Sequence, residues 1–129
     1  MANYPARNSG DQTINYLRAP IDFSLGYTGV RQVGTLPAGA AVLRAYTVVS
    51  TAFNAGSTNT LKVGTVASDA ALASSVSTSA LGVNIGTMAA ASASLLPTVD
   101  TPIIATMTST GTALSAGVGV IVVEYCPVA

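Results

Sequence analysis

From Ala41 to Phe53 the chain reads AVLRAYTVVSTAF, a run of Val, Leu, Thr and Tyr whose branched or flat side chains suit a pleated, half-buried surface. It predicts a strand. Leu36-Pro37-Ala38-Gly39 predicts a turn ahead of it, with Pro37 presetting one dihedral and Gly39 freeing another. The loop FNAGSTN, Phe53 to Asn59, follows, and Asn54, Gly56 and Asn59 suit the positive φ values of a chain reversal. It yields to a second short strand, Thr60 to Thr65, so Thr35–Thr65 as a whole predicts a β-hairpin unit.

The C-terminal third carries two more strands. Ile103 to Ser109 alternates around Thr106 and Thr108, and a Ser115-Ala116-Gly117 turn leads into Val118–Tyr125. That last strand is apolar on both faces, with Val118, Val120 and Val122 on one and Ile121, Val123 and Tyr125 on the other. Such a strand is central in a sandwich or pressed against another subunit. Between Val66 and Thr101 the pattern weakens. Asp69 followed by Ala70-Ala71-Leu72-Ala73 predicts one short helical turn. The remainder predicts a long loop with one or two short strands, anchored by Val76, Leu81, Val83, Ile85, Leu95 and Leu96 and serving subunit contact.

Residues 1–33 differ in character. Ile14–Phe23 and Tyr27–Val33 alternate well enough to pair as edge strands, but Pro5, Gly10, Pro20, Gly26 and Gly29 break them into pieces. Half of the chain's charges lie here, among Tyr4, Tyr16, Phe23 and Tyr27. The division expected is an extended N-terminal arm, 1–33, making subunit contacts, and a β-sandwich domain, 34–129. Several short strands, Gly-rich turns and little helix predict an all-β, antiparallel two-sheet sandwich.

The block LPAGA-x-V, Leu36 to Val42, followed by AFNAGSTNTL-x-VGT, Ala52 to Thr65, resembles one found in small structural proteins of tailed bacteriophages. A weaker likeness runs from Gly117 to Tyr125. The resemblance is to capsid decoration, or cement, proteins. It implies a jelly-roll type of sandwich, a homotrimer, and a place on the outer surface of a virion. There the protein would stabilise the shell by clamping adjacent major capsid subunits. Related sandwiches also occur in head fibres and tail parts, and fold alone does not fix function. No catalytic residues come with the resemblance.

Composition points the same way. Charged residues make up 8% of the 129, against roughly 25% in an ordinary soluble domain. Twenty-nine Ser and Thr and twenty-two Ala supply a neutral, wettable surface, and the net charge is zero, so copies repel each other weakly and associate readily. A hydroxyl-rich secreted domain that stays monomeric is the alternative these numbers leave open. The length suits one domain with a core large enough to need no staples. Cys126 is the only cysteine, so no internal disulfide forms. With no basic neighbour in sequence, it reads as a buried, inert thiol, consistent with synthesis in the host cytoplasm.

The charge-free runs Ala70–Val99 and Thr101–Val123 raise the question of a membrane span. Ser, Thr, Asn, Gly and Pro interrupt both, whereas a spanning helix needs about twenty predominantly apolar residues. The N-terminus lacks the apolar core of a signal peptide. No membrane partner is therefore expected.

Candidate chemistry is sparse. There is no histidine, and the five acids, Asp11, Asp22, Asp69, Asp100 and Glu124, are at least eleven positions apart. No catalytic, cofactor-binding or metal-ligating residues are assigned, no cofactor is implied, and an enzyme is not expected. Five scattered basic residues make no footprint for nucleic acid. The rival to a structural protein is a glycan- or receptor-binding module of a phage fibre or tail. Tryptophan is absent, but Tyr4, Tyr16, Tyr27 and Tyr46 could serve as stacking platforms. Finally, Arg44 and Glu124 are each the lone charge on an apolar strand stretch, which predicts either that they pair or that both lie at rims in water.

Overall fold

Every second side chain from Ile103 to Ser109 is buried, and this alternation makes the segment one wall of a two-layer core. The computed structural model describes residues 14–89 and 93–128. Its strands are β1 (Asn15–Asp22), β2 (Val30–Leu36), β3 (Ala40–Thr51), β4 (Thr58–Gly64), β5 (Ala73–Ser77), β6 (Gly82–Ile85), β7 (Thr101–Thr110) and β8 (Val118–Pro127). Short 3-10 turns lie at Phe23–Leu25 and Ala93–Leu95.

The strands form two four-stranded antiparallel sheets, the first in the order β1-β8-β3-β6 and the second in the order β2-β7-β4-β5. The molecule is a β-sandwich, as the strand pattern predicts. β1 pairs with β8, β2 with β7, β3 with β6 and β4 with β5, so the chain is one long ribbon doubled back between β4 and β5 and rolled over itself. Ile21, Leu36, Leu61, Val76, Ile103, Met107 and Ile121 close the core between the sheets. Each contributes roughly 1.5–3 kcal/mol of burial relative to remaining exposed.

Four expectations need correction. The first is the N-terminal arm. Residues 1–13, including Tyr4, lie outside the described residues, but residues 14–33 belong to the sandwich. β1 pairs with β8 from Asn15↔Tyr125 to Asp22↔Val118 and buries Ala19 and Ile21 in the core. β2 runs across the expected boundary at 33/34, burying Val33 on one side of it and Leu36 on the other. Both strands lie at sheet edges, where Pro20 can be tolerated because an edge strand leaves half its backbone groups outside the ladder.

The second is the hairpin. β3 and β4 lie in different sheets, and the segment 52–57 crosses the end of the sandwich between them. Phe53 and Ala55 are buried, which draws the loop inward, and the Phe53 N–H donates to the Thr78 carbonyl at 3.0 Å. The two asparagines act through their side chains. Asn54 Oδ1 accepts from the N–H groups of Ser115 and Ala116 at 2.9 and 3.0 Å, and Asn59 brackets the Ala55 N–H and carbonyl at 2.8 and 2.9 Å. Gly39 takes a positive φ, 81°, whereas Gly56, where one was expected, is not among the positive-φ glycines.

The third is the helix at Asp69–Ala73. These residues make a turn in which the Ala71 N–H bonds the Ser68 carbonyl at 3.1 Å, and Ala73 already opens β5. Leu72 and Ala73 are both fully buried, and the chain is drawn into the sheet here because the Leu72 N–H donates to the Val63 carbonyl at 3.0 Å and Ala73 pairs with Val63 of β4. The fourth concerns the anchors between Val66 and Thr101. Val76 is buried and Leu95 packs against the core, but Leu81, Val83, Ile85 and Leu96 are exposed. The two short strands expected there are β5 and β6.

Candidate functional site

β8 lies between β1 and β3, so its inward residues Ile121 and Val123 are covered by the second sheet, while its outward residues have no second layer over them among the described residues and Val122 is buried only by its neighbours on the face. Register fixes what surrounds them. Arg18, Val122, Tyr46 and Ile85 stand in one row across the four strands, and Pro20, Val120, Val48 and Val83 in the next. Tyr16, Glu124 and Arg44 head the array, and Asp22 and Val118 close it. Tyr16, Val83 and Ile85 are 60%, 61% and 62% exposed, with Val48 and Val118 also open to solvent. An antiparallel sheet that faces water is ordinarily polar on that side. This one presents valines.

A shallow depression of about 300 Å³ lies in the array, walled by Tyr16, Arg18, Tyr46, Val48 and Val120 with the nearly covered Val122 among them. At its head Arg44 Nε donates to Glu124 Oε1 at 2.5 Å, and the Tyr46 hydroxyl donates to Glu124 Oε2 at 3.0 Å. The Arg44 guanidinium also lies 5.9 Å from the centre of the Tyr46 ring. The bond from Arg44, followed by that from Tyr46, holds the Glu124 carboxyl below its usual range against the opposing effect of burial. Burial, and then the bond to Glu124, pushes the Tyr46 phenol up. The bond to Glu124 raises Arg44, which stays a cation. The expected pairing of Arg44 with Glu124 is thus made on the outer face of the sheet, with Arg44 half-exposed and Glu124 mostly covered.

Arg18, at the β1 end of its row, has no hydrogen bond or ion pair among the described residues. Asp22, four positions along the same strand, is occupied by the N–H and hydroxyl of Ser24, which hold its carboxyl below the usual range.

The outer face of the second sheet is chemically different. Thr106, Thr108 and Thr110 of β7 lie beside Lys62, Thr60 and Thr58 of β4. The Thr58 and Thr110 hydroxyls bond each other at 2.7 Å, Thr60 Oγ1 donates to the Thr108 carbonyl at 3.1 Å, and Lys62 lies 3.7 Å from Asp69. One broad face therefore carries mainly hydroxyls, with Val30 exposed beside Thr106, and the other carries valines bordered by Arg18, Arg44 and Glu124.

The remaining candidates from the sequence are dispersed. Tyr16 and Tyr46 meet at the depression, whereas the Tyr27 hydroxyl donates to the carbonyl of Gly111, directly after β7. Cys126 is free and half-buried. Among the described residues no three of His, Cys, Asp and Glu gather as a metal-binding group, and no helix is long and apolar enough to cross a membrane. Sequence reading missed Val83 and Ile85 as surface residues. Their i, i+2 spacing was the available signal, since it puts both on one face of a strand.

No protein-family model and no curated protein sequence matches the chain. Solved structures do share its fold. A chain of the cyanophage Pam1 capsid asymmetric unit superposes with a TM-score of 0.61 at 23% identity, over 98% of this chain and 94% of that one. A chain of the acid-stable capsid of Helicobacter pylori bacteriophage KHP30 superposes with a TM-score of 0.60 at 18% identity, over 89% of this chain and 88% of that one. The sandwich described here is therefore a fold that phage capsids contain.

Proposed function

We propose that this chain is a virion structural protein, a decoration protein on the outer surface of a phage capsid that stabilises the shell by clamping adjacent major capsid subunits. The single observation that carries the reading is the open valine face of the first sheet. A sheet face of this composition is stable in water only at a cost that assembly removes. The likeness of fold to chains of two phage capsids, and the nested strand pairing expected of a jelly-roll type, support it. A homotrimer made in the host cytoplasm is the state that the sequence resemblance suggests. Such a protein would act without chemistry. Each copy adds modest buried area between subunits that are already joined, and the sum over a shell opposes the outward pressure of packaged DNA.

The test compares particles with and without the protein. Shells that lack it should rupture at lower temperature or after milder osmotic shock, and adding purified protein should restore them. Equal resistance with and without it would remove the clamping role.

A glycan- or receptor-binding module is the second reading, favoured by Tyr16 and Tyr46 flanking the depression. Saturable binding to a host glycan that is lost on Tyr16→Ala, with no affinity for shells, would establish it in place of the first.

A further inference from the structure

The outer face of the first sheet is limited in size. Four strands about 4.8 Å apart and four rows of outward side chains give a patch on the order of 450 Å². A stable two-body interface needs about 800 Å² from each partner. The face is therefore too small to hold two free copies together by itself, and suits one contact among several in a larger assembly.

Its charges say what kind of surface it meets. Arg18 stands at the β1 end of the row Arg18, Val122, Tyr46, Ile85 and walls the depression with Val48 and Val120, so a surface seated in that depression meets its guanidinium. Burying an unpaired cation is strongly unfavourable, so the covering surface must bring an anion. Among the described residues of a second copy, which do not include Asp11, every carboxylate already has a partner. Glu124 has both oxygens occupied, by Arg44 and Tyr46, and Asp22 is held by Ser24. Elsewhere Asp69 lies against Lys62, and Asp100 accepts from the Ala38 N–H.

We propose that this face docks a different virion protein, through a surface that presents apolar side chains around one unpaired carboxylate and sets that carboxylate against Arg18. The threonine face of the second sheet is then left toward solvent. The inference rests on the virion-structural reading above and names the surface and partner chemistry that reading leaves open.

The experiment uses shells of the encoding phage produced without this protein, with binding of the full chain measured by co-sedimentation and the oligomeric state of the free chain by ultracentrifugation. Arg18→Glu and Val48→Lys should each weaken shell binding by about tenfold or more, as a misplaced charge at an interface centre does. Arg18→Lys should retain most of the affinity, and Thr108→Lys on the opposite face should stay within about twofold of the parent. Val83→Lys, at a more exposed position, serves as the second apolar-face variant if Val48→Lys fails to fold. If the parent binds shells and the Arg18, Val48 and Val83 variants bind equally well, the docking face lies elsewhere and the inference fails while the virion reading stands. If those variants alter self-association and leave shell binding intact, a second copy occupies the face and the inference also fails. If the parent does not bind shells at all, the virion reading itself falls.

Discussion

Arg44 and Glu124 lie 80 positions apart in sequence and 2.5 Å apart in space, facing each other where β3 and β8 pair. Their contact is a register mark. A slip of one residue between these strands would turn Arg44 into the core and strand Glu124 among valines. Tyr46 completes the arrangement by taking the second carboxylate oxygen.

Because the bonds from Arg44 and Tyr46 hold Glu124 below its ordinary value, the carboxylate contributes stability that is present above its unfolded pKa, about 4.3. That contribution is lost as pH falls through the lower folded-state value. Glu124→Gln should therefore lower the urea midpoint at pH 7, and the gap from the parent should narrow progressively as the pH is taken below the unfolded value of about 4.3. A gap that persists unchanged in acid would mean that the charge is not what the site uses.

Ile121 is fully buried and Val83 is 61% exposed, although both belong to the first sheet. Ile121→Ala should cost about 2–5 kcal/mol through lost burial and a cavity. Val83→Ala should change stability by no more than about 0.5 kcal/mol. Denaturant melts of the two variants give the comparison directly, and similar losses would mean that the outer face is structurally supported in the free chain.

Gly117 and Gly82 both have positive φ, 149° and 95°, but a Cβ at Gly117 would lie 2.6 Å from the Phe53 ring while one at Gly82 would meet nothing within 4 Å. Backbone strain is common to both substitutions, so the difference isolates the clash. Gly117→Ala should be less stable than Gly82→Ala by about 1–3 kcal/mol, the usual cost of overpacking. Thermal or urea unfolding checks it, and equal costs would show that the Phe53 ring moves freely aside.

Deleting residues 15–22 should abolish cooperative unfolding. The loss removes Ala19 and Ile21 from the core and uncovers the edge of β8, whose backbone groups pair with β1 along its length. Far-UV circular dichroism during heating would reveal a broad, shallow change in place of a sharp transition. A sharp transition in the truncated chain would restore the view of this segment as a dispensable arm.

Strand positions were legible because period-two alternation is local. Ala41–Phe53 corresponds to β3, Thr60–Thr65 to β4, Ile103–Ser109 to β7 and Val118–Tyr125 to β8, each within a few residues. Pairing was legible at one point, where Arg44 and Glu124 are each the lone charge on an apolar strand, but nothing near Asn54 reveals that its loop changes sheets. β1 was discounted for Pro20 and its charges, yet Leu17, Ala19 and Ile21 alternate inward, and small Ala19 is easily passed over as a core residue. The valine face was half legible. Val118, Val120 and Val122 were read as a face needing cover, but Val48, Val83 and Ile85 join them only once β3 and β6 take their places beside β8.

The nested pairing of the ribbon has a consequence for synthesis. Only β4 and β5 are both neighbours in sequence and partners in a sheet, so pairing can begin there and must proceed outward, with β1 waiting for β8. Such long-range closure makes folding slow relative to proteins of local topology. On the ribosome, Leu17, Ala19 and Ile21 emerge early and have no strand to pair with until almost the whole chain is made. During that interval the apolar edge of β1 is open to capture by neighbouring chains, and a host cell producing many copies at once would need chaperones to shield it.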